Sequence, residues 1–98
     1  MTMAAYVVFI REGISDQAEM DQYNAKAGAS IAGHPLTPLA FYGAHEAWEG
    51  APSDGLVILQ FPDMDAARAW YDSPAYQEAK VHRLAGADYR VLVTEGVG

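Results

Sequence analysis

Gly50-Ala51-Pro52-Ser53-Asp54-Gly55-Leu56-Val57-Ile58-Leu59-Gln60-Phe61 decides the architecture. Its first half is the clearest turn in the chain, with glycine at both ends and a proline between. Its second half is the strongest strand signal, β-branched and aliphatic, and Pro62 ends it. The turn falls near the middle of the chain, so the residues on either side divide into two halves.

Upstream, Tyr6-Val7-Val8-Phe9-Ile10 reads as a strand, with Gly13 in the turn that follows. Ser15 or Asp16 can cap a helix, and Asp16 with Glu19 fits a capping box. Met20, Tyr23, Ala27 and Ile31 form one apolar stripe, Gly28 weakens the helix and Gly33 stops it. His34 to Pro38 reads as a connection. Leu39 to Trp48 reads as a long, less regular strand with Gly43 at a bulge or bend.

Downstream, Asp63 caps a short helix carrying Ala66, Ala67, Trp70 and Tyr71. Ser73-Pro74 then restarts a helix, serine as cap and proline in the first turn, with Tyr76, Ala79 and Arg83 on one face and Gly86 closing it. Tyr89 to Glu95 is the last strand. The order strand, helix, strand, strand, helix, strand predicts a single α+β domain over residues 1–98. The arrangement is ferredoxin-like, with one antiparallel four-stranded sheet carrying the helices on one face.

A sheet covered on one side should show a polar second face. Here Tyr6, Val8 and Ile10 alternate with Val7 and Phe9, and Leu56 and Ile58 with Val57, Leu59 and Phe61. Both parities are apolar, so a second copy packed sheet against sheet is expected, and the chain reads as a homodimer. The formal charge is -7, from thirteen acidic and six basic residues, with no basic cluster. That argues against nucleic acid and against an anionic membrane surface as partners. Cysteine is absent, which removes disulfides, thiolate nucleophiles and Cys-ligated metals. The apolar run Ala4 to Ile10 is too short for a leader or a membrane span, and a cytoplasmic protein is expected.

The segment Phe61-Pro62-Asp63-Met64-Asp65-Ala66-Ala67-Arg68-Ala69-Trp70-Tyr71-Asp72-Ser73-Pro74-Ala75-Tyr76 resembles the characteristic stretch of the DUF1330 family, small bacterial domains of unknown function. Trp48-Glu49-Gly50, Arg83, and Asp88 with Arg90 are similar to that family as well. The resemblance runs from about Tyr6 to Gly96. It implies a dimeric α/β-barrel, in a superfamily that holds cofactor-free monooxygenases, isomerases, haem-dependent enzymes and plain ligand-binding domains. It implies no particular activity. An arginine that many relatives carry early in the second strand is missing from Leu39-Ala40-Phe41-Tyr42-Gly43. If that arginine holds an anion in relatives, this chain binds something less charged or binds it differently.

Few residues are candidates for chemistry. His45, placed inside a strand, can act as a general base or be a structural histidine with satisfied hydrogen bonds. No spacing of His, Asp and Glu suits a metal, and no motif implies a cofactor. Arg83 and Arg90 are more informative, because an arginine among apolar neighbours must be paired or face a pocket. For Arg90, Asp88 or Glu46 are the expected acids if the role is structural. The functional reading is a small organic ligand between helices and sheet. Arg83 and Arg90 would hold its polar end, His45 or Tyr42 would handle a proton, and Trp70 and Tyr23 would be apolar walls. The competing reading is a non-catalytic dimer that senses a metabolite or pairs with another protein, its helix–sheet interface filled by Trp70, Tyr23 and Met20.

Overall fold

The computed structural model describes residues 3–97. Strand β1 (Ala5–Ile14) leads into helix α1 (Gln17–Ser30), strand β2 (Thr37–Phe41) and strand β3 (Gly55–Phe61). Helices α2 (Met64–Tyr71) and α3 (Pro74–Gly86) and strand β4 (Ala87–Glu95) complete the chain. The sheet order is β2-β3-β1-β4, and every neighbouring pair is antiparallel. This is the ferredoxin-like α+β arrangement, with the second helical segment in two pieces. Among the described residues no helix is long and apolar enough to cross a membrane.

The helix starts follow from their caps. Asp16 accepts from the Glu19 amide at 3.3 Å, Asp63 from the Ala66 amide at 2.7 Å and Ser73 from the Tyr76 amide at 3.3 Å. Each satisfies an amide that the first helical turn leaves without a partner. Only half of the expected capping box forms at α1. The Glu19 carboxylate instead meets His82 Nδ1 on α3 at 2.6 Å, tying the two helices together. Gly86 is held close to this junction: its carbonyl accepts from the Ser15 and Asp16 amides, and a Cβ there would stand 2.9 Å from the Asp16 carbonyl oxygen.

One parity of each central strand is buried against the helices. Ala5, Val7 and Phe9 of β1 and Val57, Leu59 and Phe61 of β3 join Met20, Tyr23, Ala67, Trp70, Tyr76 and Ala79 in the core. Burying each of the large side chains contributes about 1.5–3 kcal/mol relative to leaving it exposed. The opposite parity forms a face without helices. It carries Tyr6, Val8, Ile10, Leu56 and Ile58, all half-buried, and Leu92, which is exposed.

Two expectations about elements need correction. Gly13 lies within β1 rather than in a turn, at an irregularity where the β1–β4 register shifts between Arg11 and Gly13. The second strand begins at Thr37 and ends at Phe41, not Leu39 to Trp48. It is an edge strand, so Pro38, which has no amide hydrogen to give, is tolerated inside it. Tyr42 then takes a left-handed φ of 53°, and the chain leaves the sheet until Gly55.

Candidate functional site

The helices do not seal the whole of the sheet face. Between α1, α2 and strands β1, β2 and β3 lies a cavity of about 130 Å³. Phe9, Val57, Leu59 and Trp70 supply apolar walls. Asn24, Gly28, Ile31 and Phe41 line it as well and are exposed, so its mouth lies between α1 and β2. Trp70 is buried and its indole N–H donates to Ser30 Oγ at 3.2 Å. Tyr23, which is buried, and Tyr42, which is half-buried, line it as well.

Each of these two tyrosines is hydrogen-bonded to a second one farther in. Tyr23 and Tyr76 hydroxyls are 3.0 Å apart, and Tyr42 and Tyr89 hydroxyls 2.5 Å apart. Behind each inner tyrosine stands an arginine. The Arg83 guanidinium lies 5.4 Å from the centre of the Tyr89 ring and 5.9 Å from that of Phe9. Arg11 lies 4.6 Å from the Tyr42 ring centre, and its Nε donates to Asp54 at 2.9 Å. Gly55 makes room for this: a Cβ there would come within 2.7 Å of the Tyr42 ring.

The two arginines differ in how their charge is met. Arg11 has Asp54. Arg83 is only 4 % exposed, its Nε has no hydrogen-bond partner, and no carboxylate pairs with it among the described residues. Aromatic faces offset only part of the cost of burying a guanidinium that cannot lose its proton. Burial holds the phenols neutral. It raises Tyr23 well above the ordinary tyrosine range, and the bond to Tyr76 adds to the effect. Burial also raises Tyr42, helped by its bond to Tyr89. Tyr76 is raised by burial while its bond to Tyr23 and the nearby Arg83 act the other way.

The sequence-predicted residues fall in three places. Tyr23, Tyr42 and Trp70 line the cavity, and Arg83 stands behind it. His45 is not on a strand and does not line the cavity. It lies in the exposed loop after β2, with Nδ1 3.2 Å from the Gly43 carbonyl oxygen and Nε2 3.1 Å from that of Ser53. These two backbone bonds raise its pKa, Ser53 contributing most. Arg90 is also corrected. It pairs in register with Ile10, so it is on the face away from the helices, where it is exposed. Neither Asp88 nor Glu46 forms an ion pair with it among the described residues. Arg11 and Tyr89 were not anticipated. Their signal is that a register placing Phe9 inward also turns Arg11 inward, and Tyr89 sits opposite Arg11. Among the described residues no three His, Asp or Glu side chains converge as metal ligands.

A family model described as a domain of unknown function, DUF1330, matches residues 4–97. No curated protein sequence matches the chain. Solved structures share its fold at low identity. A protein of unknown function from Rhodopseudomonas palustris superposes with a TM-score of 0.79 at 14% identity, covering 100% of this chain and 85% of that one. A dimeric ferredoxin-like protein of unknown function from Thermobifida fusca gives 0.67 at 14% identity, covering 98% and 93%. SnoaB, a cofactor-independent oxygenase from Streptomyces nogalater, gives 0.58 at 15% identity, covering 100% and 96%.

Proposed function

This chain belongs to the DUF1330 family, and from that premise we propose that it is a small-molecule-binding protein of the cofactor-independent kind, with its site in the cavity between helices and sheet. The observation that carries this reading is an apolar cavity between helices and sheet whose lining includes Tyr23 and Tyr42. A concave apolar site with a few convergent polar groups is the usual form of a small-molecule site. Its 130 Å³ is close to the roughly 150 Å³ of an engineered protein cavity that takes up benzene, so the ligand body is about one ring in size. Tyr23, Tyr42 and Trp70 are its contacts, with Arg83 acting from behind. His45 and Arg90 take no part inside the cavity.

The fold is shared with a cofactor-independent oxygenase, which supports a reading that needs no bound cofactor. The sensing or protein-pairing alternative required an interface filled by Trp70, Tyr23 and Met20. All three are buried, yet a cavity persists beside Tyr23 and Trp70.

The protein works as a homodimer in this reading. The face carrying Tyr6, Val8, Ile10, Leu56, Ile58 and Leu92 has no helix over it, and a second copy covers it through a two-fold axis. Dimeric proteins of the same fold support the arrangement. The ligand reading is tested by thermal melts with toluene, phenol and cyclohexanone. A rise in Tm of several degrees at saturation with at least one of them is expected. No rise with any, at concentrations near their solubility, would overturn it.

A further inference from the structure

Among the described residues that line the cavity there is no Asp, Glu, Lys, Arg or His. Arg11 and Arg83 stand against the faces of Tyr42 and Tyr89, 4.6 and 5.4 Å from the ring centres, and neither is part of the wall. A charged ligand group would give up water inside and meet no ion in the wall, which is costly in an apolar site. An anion has a further obstacle in a protein whose net charge is -7.

Four lining side chains carry hydrogen-bonding atoms, Tyr23, Asn24, Tyr42 and Trp70. Three of them are met by the protein itself. The Tyr23 hydroxyl has that of Tyr76 at 3.0 Å, the Tyr42 hydroxyl has that of Tyr89, and the Trp70 indole N–H donates to Ser30 Oγ at 3.2 Å. An apolar ligand end beside these groups leaves none of them stranded, and a stranded polar group costs its full desolvation. Asn24 differs. It is exposed at the mouth, one turn before Gly28 on α1, and its amide both donates and accepts. The volume adds a constraint, because about 130 Å³ takes about one ring and a substituent on that ring has to stand at the mouth.

Resting on the small-molecule reading above, we infer that the ligand is an uncharged ring bearing one neutral hydrogen-bonding group, a carbonyl, carboxamide or hydroxyl, which enters ring first and leaves that group at the mouth for Asn24 to recognise. The inner wall then selects by shape, and Asn24 sets the polar specificity.

The test compares toluene, benzamide and benzoate by NMR titration of the backbone amides near neutral pH, where benzoate is ionised and has nearly the shape of benzamide. Benzamide is expected to bind more tightly than benzoate by about tenfold or more. Asn24→Ala is expected to lower the affinity for benzamide relative to toluene by about threefold to tenfold, the worth of one neutral hydrogen bond. Far-ultraviolet circular dichroism checks that α1 is intact in the variant. Benzoate binding as tightly as benzamide, or a benzamide-to-toluene ratio that Asn24→Ala leaves alone, would overturn this inference and leave the small-molecule reading standing. Failure of toluene and benzamide alike to bind would overturn both.

Discussion

Arg83 on α3 holds its guanidinium 5.4 Å from the centre of the Tyr89 ring on β4, buried and, among the described residues, without a carboxylate paired to it. A group in that position costs stability in the absence of ligand, since its Nε has lost water and gained no acceptor. Methionine has similar reach and no charge. Arg83→Met is therefore expected to raise stability by about 1 kcal/mol, which is roughly 4–8 °C in Tm for a domain of this size. Calorimetry of the two proteins checks this. A loss of several degrees would mean that Arg83 is a structural strut.

Tyr23→Phe removes one member of a buried hydroxyl pair and leaves Tyr76 without its partner. The expected cost is about 1–2 kcal/mol with the fold intact, measured by urea unfolding with an unchanged m-value.

Gly28 offers an independent handle on the cavity. It lies at the mouth, and a Cβ there meets nothing within 4 Å. Gly28→Leu should stabilise α1 by up to about 1 kcal/mol through helix propensity. The same side chain should obstruct entry, so Tm rises while binding of ring probes weakens. If binding is unchanged, the mouth is elsewhere.

His45 predicts a pH effect in the loop rather than at the site. Both ring nitrogens face backbone carbonyls, and a neutral imidazole has only one N–H to give. The folded pKa is raised by these bonds, Ser53 first and Gly43 second. The protonated clasp is thus fully present below the ordinary imidazole value of about 6.5 and is lost as pH rises through the raised folded value. Amide hydrogen exchange in residues 43–53, corrected for its intrinsic pH dependence, should quicken over that window. His45→Ala should remove the transition. A loop whose protection is flat from pH 6 to 9 would contradict the clasp (pH limits set roughly around the histidine range).

The open sheet face predicts association. Ile58 lies opposite Val8 and Ala40 on it. Ile58→Asp should convert a dimer to a monomer of 10.6 kDa in sedimentation, with the helix-side core untouched. A wild type that is already monomeric at all concentrations would remove the dimer.

The sequence made legible whatever depended on local chemistry. Asp63 and Ser73-Pro74 marked two helix starts because caps act within one turn. The spacing of Tyr76, Ala79 and Arg83 put the arginine on a buried face, where it is. Dependence on pairing was harder to read. Pro38 looks like a breaker until β2 is known to be an edge. Arg90 and Tyr89 are neighbours on an apolar strand, and only the register with β1 decides which of them faces the helices. His45 was misplaced because the chain leaves the sheet at Tyr42, whose left-handed backbone no tyrosine announces. The cavity follows from the gap between α1 and β2, which no single segment encodes.

A crystal soaked with 4-bromophenol tests the central claim most directly, because the bromine can be located by its anomalous scattering. The expected result is one bromine per chain in the cavity walled by Phe9, Val57, Leu59 and Trp70. Bromine found only on the open sheet face would contradict the account.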